Sequence, residues 1–318
     1  MASSPDAGAG AVPRVTLSTG HAMPVLALGT GSSRTPPDLA DTILHAVRLG
    51  YRHIDTASFY RTEPAVGAAV AAAVRAGAVA ARADLFVTSK LWISDARPGR
   101  VVPALRESLA RLGLAYLDLF LVHWPVATDD GGRQVGFDME GVWRGMEECH
   151  RLGLARSVGV SNFSAPKMDR LMSLAAVPPA VNQVELNVGW RQEKVREACK
   201  RHGVVVSAYS PLGALGTAWG SDAVMESGVL HQVAAAKGKT VAQVALRWVY
   251  EQGVCFVARS YNRERLEQNM AIFSGWELSE EEKELIATIP QKRASQGEYF
   301  VSPDGPYKSV AELWDDEI

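Results

Sequence analysis

The sequence predicts an α/β protein whose eight parallel strands close into one barrel, each strand followed by a helix. Three observations point there. Eight short apolar, β-branched runs recur along the chain, helical periodicity fills the intervals, and no G-x-G-x-x-G follows an early strand, as a doubly wound sheet would require. With 318 residues, 47% of them hydrophobic, the chain has enough apolar side chains for one large core.

In chain order, residues 1–14 are rich in Ala, Gly and Ser and read as a disordered leader, which leaves 15–318 as a single domain. Residues 15–27 (VTLSTGHAMPVLA) place two apolar runs around a glycine-containing turn, a hairpin ahead of the barrel. The barrel strands are expected at 25–30, 52–57, 85–92, 117–124, 157–162, 181–186, 204–211 and 255–260. Helical patterns occupy 37–50, 63–77, 99–113, 139–153, 167–175, 193–203, 241–253 and 262–273, most of them ending on the Gly expected just past a helix. From Pro290 to Ile318 the chain is polar and aromatic by turns, and this tail is expected to fold over one mouth of the barrel.

A formal net charge of −2 argues against nucleic acid or an anionic membrane as partner. No run of 18 uncharged apolar residues is present, so a soluble, cytoplasmic monomer is expected. Cys149, Cys199 and Cys255 are far apart and read as buried thiols of a reducing compartment. His and carboxylates are not grouped at ligand spacing, and no metal is expected.

In a parallel barrel, chemistry collects where strands end at their carboxyl side. Asp55 and Tyr60 follow RHI (52–54), Lys90 lies in TSKLW and His123 in LVHWP. Singly, each has a plain explanation: a half-buried tyrosine, a snorkelling lysine, a histidine at a turn. Together they suggest proton transfer. A phenol with pKa near ~10 is a poor acid or base at neutral pH unless its anion is stabilised, at about 1.4 kcal/mol per unit. The Lys90 ammonium would draw that pKa down, Asp55 would keep the ammonium charged, and His123 would donate to a substrate oxygen.

The segments LGYRHIDTASFYRTEPAVGAAV (49–70) and MEECHRLGLARSVGVSNF (146–163) resemble the two signature segments of the aldo-keto reductases, and the resemblance runs from about Val15 to the C-terminus. It implies a (β/α)8 TIM barrel with Tyr60 as general acid/base, Lys90 and Asp55 as its tuners and His123 as orienter of a carbonyl. It also implies a nicotinamide cofactor. Ser161, Asn162 and Gln183 would hold its carboxamide, Tyr209 would offer a flat face, Ser210 and Leu212 would follow the pyrophosphate, and Thr30 and Asp55 would also belong to the cofactor site. In 257–269 the family's usual Pro-Lys-Ser is Ala258-Arg259-Ser260, and a customary Glu is Gln268. Arg259, Ser260 and Arg265 still suit a 2′-phosphate, which favours NADPH over NADH, with Gln268 and Asn269 beside the adenosine.

Phe59, Trp92, His123 and Trp124, with Trp219, Tyr299 and Phe300, would wall the substrate pocket and suit apolar or aromatic carbonyls. Gly31, where many relatives carry a large aromatic, would widen it. SDAVMESGVL, GWELSEEEK and GPYKSVAELWDDEI are similar to a plant group that includes deoxymugineic acid synthases, codeinone reductases and chalcone-type polyketide reductases. The implied activity is NADPH-dependent reduction of a small-molecule aldehyde or ketone, in plant specialised metabolism or detoxification. The alternative is an NADP(H)-binding redox-sensing regulatory subunit with little turnover.

Overall fold

A computed structural model describes residues 12–31, 36–217 and 219–318. A hairpin of β1 (Arg14–Thr16) and β2 (Ala22–Pro24) precedes the barrel, with Val15 opposite Met23. The barrel strands are β3 (Leu26–Gly29), β4 (His53–Asp55), β5 (Phe86–Leu91), β6 (Leu117–Val122), β9 (Ala155–Ser161), β10 (Val181–Glu185), β11 (Val205–Tyr209) and β12 (Cys255–Ala258). They close in that order, β12 pairing back onto β3, and every pairing is parallel. A ribbon of β7 (Ala127–Thr128) and β8 (Gln134–Val135) stands in the loop after β6.

Strands filled from inside and covered by helices outside must be apolar on both faces. That is why β5, β6 and β10 are buried at every residue. The covering helices are α1 (Leu39–Leu49), α2 (Glu63–Arg75), α3 (Val101–Leu112), α4 (Met139–Arg151), α5 (Ala165–Leu174), α6 (Glu193–Arg201), α8 (Val241–Glu251) and α9 (Arg263–Met270). Most strands stop sooner than their apolar runs suggest. Asn162 and Ser210 take φ of 63° and 50°, outside the β region, and so end β9 at Ser161 and β11 at Tyr209, one and two residues short of the expected runs.

Three further helices, α7 (Gly228–Lys237), α10 (Glu280–Ala287) and α11 (Val310–Trp314), were not expected. A one-strand, one-helix pattern passes over α7. The start of α10 was nevertheless written in the sequence as a capping box: Glu282 N–H donates to the Ser279 hydroxyl at 3.3 Å, and Ser279 N–H donates to the Glu282 carboxylate at 2.7 Å. The strands β7 and β8, two residues each, are too short to register as alternation.

The expected leader lies outside the described residues as far as residue 11. Its boundary at 14 shifts, because Val12 packs on the core and Arg14 already belongs to β1. The three cysteines are free and buried, and burial pushes the Cys255 thiol up to about 12. Among the described residues no helix is long and apolar enough to cross a membrane.

The tail crosses the mouth and is tied to the start of α5. Lys167 Nζ donates to Leu313 O at 2.8 Å and pairs with Asp315 at 2.6 Å, while Ala165 N–H donates to Glu317 at 3.0 Å. Trp314 is 1% exposed, donates to Gln296 O at 2.8 Å and meets the Trp124 ring edge-on at 5.8 Å.

Gly67 brings α2 against the end of α3, since a Cβ there would strike the Leu112 carbonyl. Gly67→Ala is expected to cost about 1–3 kcal/mol as overpacking. A urea midpoint unchanged by the substitution would contradict this close helix contact.

Candidate active site

Asp55 ends β4, and Lys90 stands on the neighbouring β5, where Asp55 is in register with Thr88. Lys90 Nζ donates to Asp55 Oδ1 at 2.5 Å and to Thr56 O at 3.0 Å, with side chains 1% and 3% exposed. Such a pair is tolerable when its remaining polar atoms are satisfied. Gln183 of β10 does this across the barrel by donating to Asp55 Oδ2 at 2.9 Å.

Beyond Asp55 the chain makes a short 3-10 turn, Ser58–Tyr60. The Ser58 hydroxyl donates to Lys90 O at 3.0 Å, which fastens the turn to β5. Behind it, Thr62 shares hydrogen bonds with Thr56 at 2.8 Å and Thr30 at 2.9 Å. The turn brings the Tyr60 hydroxyl 3.4 Å from His123 Nε2, and Lys90 Nζ lies 5.2 Å from the Tyr60 ring centroid.

The ionisation of Tyr60 runs opposite to the sequence expectation. Burial first, and the Asp55 carboxylate second, push the phenol above its ordinary 10. Asp55 lies 2.5 Å from the Lys90 ammonium and so opposes its pull on the phenol, while phenolate burial stays costly. Lys90 itself is lowered by burial, which Asp55 opposes. Burial and then Lys90 hold His123 well below 6.5, so its imidazole is neutral. Its Nδ1 meets no protein partner, and the proton is better placed on Nε2, facing Tyr60.

A cavity of about 1110 Å³ opens over this group. Phe59, Trp92, Trp124 and Tyr299 wall it beside Tyr60 and His123, and Trp219 lines it too. Phe59 stacks on Trp92 at 3.8 Å. Toward β9–β11, Ser161 donates to Gln183 O at 2.7 Å, Asn162 Nδ2 to His123 O at 2.9 Å, and Tyr209 to Asn162 Oδ1 at 2.8 Å. Ser210 and Leu212 continue the wall to Arg259, Ser260, Arg265, Gln268 and Asn269. There Asn262 caps α9 by accepting from Arg265 N–H at 3.0 Å. Two exposed guanidiniums beside a helix N-terminus suit a multiply charged anion.

Thr30, expected at the cofactor, and Phe300, expected on the substrate wall, are not among the residues that line the cavity. Thr30 is fully buried, donating to Asp55 O at 3.0 Å, and it braces the strand end. Phe300 is 3% exposed and packs 4.8 Å from Trp124, because the apolar tail buries it behind that ring. The sequence reading also passed over Arg61 and Ser295, which line the cavity, and Glu185. Glu185, two residues past Gln183 and so on the same strand face, accepts Ser295 N–H at 2.8 Å and anchors the tail.

The aldo/keto reductase family model matches residues 25–290. The chain is 54% identical over 305 residues to deoxymugineic acid synthase 1 of Hordeum vulgare, covering 93% of this chain and 97% of that protein. It is 50% identical over 316 residues to the (1S)-1,7-diacetoxy-luvungin A aldo-keto reductase of Citrus sinensis, covering 97% and 99%. A solved aldo-keto reductase complexed with NADPH aligns with TM-score 0.85 at 33% identity, over 95% of this chain and 98% of that one. One from Bombyx mori in complex with NADP gives 0.83 at 37%, over 89% and 95%.

His53 of β4 offers a measurable consequence of burial in the same barrel. Its Nδ1 donates to Pro24 O at 3.1 Å, its Nε2 accepts from Thr88 at 2.9 Å, and burial lowers it to about 4. Between about 4 and 6.5 the unfolded chain binds the extra proton, so stability rises with pH there and falls on acidification. The loss is expected to reach ~3 kcal/mol. Urea unfolding at pH 7 and pH 4.5 checks it: the pH dependence should flatten in His53→Gln, and equal slopes in both proteins would refute it.

Proposed function

The chain belongs to the aldo/keto reductase family, and on that premise we propose that it is an NADP(H)-dependent oxidoreductase that reduces aldehyde or ketone carbonyls to alcohols. The observation that carries this reading is the convergence of Tyr60 Oη and His123 Nε2, 3.4 Å apart, on one aromatic-walled cavity backed by Asp55–Lys90. A carbonyl oxygen seated between them would accept from both.

The residues present fit the cofactor. Ser161, Asn162 and Gln183 carry the amide and hydroxyl groups that a carboxamide needs, and Arg259, Ser260 and Arg265 suit a phosphorylated ribose. When bound, the nicotinamide supplies the hydride. Tyr60, kept protonated by burial, holds the proton to be given to the developing alkoxide, a stronger base than phenolate. Lys90 then has its use after transfer, stabilising the phenolate left behind. His123, neutral, orients the oxygen without adding charge.

A role in plant specialised metabolism or in removal of reactive carbonyls, as a cytoplasmic monomer, completes the reading. It is supported by plant relatives at 50–54% identity, whose names describe unlike substrates. The alternative regulatory role would need the cofactor residues alone, whereas this chain also keeps Tyr60, Lys90, Asp55 and His123 together.

Tyr60→Phe is expected to lower NADPH oxidation with an aldehyde panel by about 10²–10⁴. Quenching of tryptophan fluorescence by NADPH should persist. Equal slow rates in both proteins would instead favour the regulatory role.

A further inference from the structure

Arg61 follows Tyr60 directly and closes the turn in the left-handed region, with φ of 58°. A non-glycine residue held there carries a modest strain, of a kind that clusters at functional sites. The consequence is geometric: Tyr60 and Arg61, adjacent in the chain, both line the same cavity. Arg61 is exposed, and among the described residues its guanidinium has no ion-pair or hydrogen-bond partner.

The charges along the cavity make this cation stand apart. Arg259 and Arg265 lie at the end with Ser260 and Asn269, beside the N-terminus of α9. At the end near Tyr60 and His123, Asp55 is the carboxylate on the wall, and Lys90 offsets it. His123 is neutral. Arg61, two residues past Phe59, therefore gives this cavity a positive charge with no carboxylate of its own, on a wall that also carries the flat Phe59–Trp92 stack.

Resting on the reductase reading, we propose that Arg61 is a specificity-determining residue that selects carbonyl substrates bearing a carboxylate on the far side of the reacting carbon. A planar guanidinium can take a carboxylate through two parallel hydrogen bonds. The body of such a substrate would lie on Phe59 and Trp92, and its carbonyl would reach Tyr60 and His123. No covalent step involves Arg61; it acts in binding.

The test compares 4-formylbenzoate with its methyl ester, which keeps the aldehyde and ring but removes the charge. Wild type, Arg61→Gln and Arg61→Lys are assayed by NADPH oxidation, and each compound is also titrated by quenching of tryptophan fluorescence. In wild type the acid should have the lower KM and Kd. In Arg61→Gln both constants for the acid should rise about tenfold, equivalent to ~1.4 kcal/mol, with kcat unchanged and the ester unaffected. Arg61→Lys should recover part of the effect.

If the ester turns over normally while the acid's KM and Kd are the same in wild type and Arg61→Gln, the inference is overturned and the reductase reading stands. If neither aldehyde oxidises NADPH in wild type, the reductase reading fails and takes the inference with it.

Discussion

The Asp55–Lys90 pair is the constraint around which the barrel mouth is arranged. Two opposite charges, 1% and 3% exposed at 2.5 Å, lie where two adjacent strands end. Removing either partner would strand an ion in low dielectric, which in other buried pairs costs about 3–5 kcal/mol. The neighbours reflect that demand. Gln183 comes from across the barrel to fill the second carboxylate oxygen, Thr56 lends its carbonyl to the ammonium, and Ser58 ties the next turn back to the Lys90 carbonyl. Tyr60 is held where it is because its own turn is bound to the residue that charges its surroundings.

The electrostatics of this arrangement differ from a simple account in which a lysine acidifies a tyrosine. Desolvation of a phenolate is the larger effect, and the Asp55 carboxylate adds to it in the same direction. In the proposed mechanism the hydroxyl therefore waits as a donor, and the ammonium matters once negative charge has formed. The same burial keeps His123 neutral. It also couples His123 to the other half of the cavity, because its carbonyl accepts from Asn162, which in turn accepts from Tyr209.

The tail contributes by packing. Trp314 and Phe300 press on Trp124 from behind, and the Lys167–Asp315 pair holds their segment to the start of α5. Glu185 adds a second fastening through the amides of Ala294 and Ser295, at 3.2 and 2.8 Å. The aromatic wall is thus set by residues far from the strand ends in sequence.

The sequence by itself determined the eight-stranded barrel, because strands buried on both faces must be written as apolar runs and covering helices as 3.6-residue patterns. It also marked Asp55, Tyr60, Lys90 and His123, since polar groups at the ends of such runs are conspicuous. Tertiary structure alone decided the sign of the Tyr60 shift, which depends on how much water burial removes and on how close Asp55 lies to Lys90. It likewise decided that Thr30 braces rather than lines, that Phe300 backs Trp124, and that Arg61 turns into the cavity. Those outcomes rest on left-handed turns and on contacts between segments distant in the chain, such as the tail against Trp124, and no local pattern encodes them.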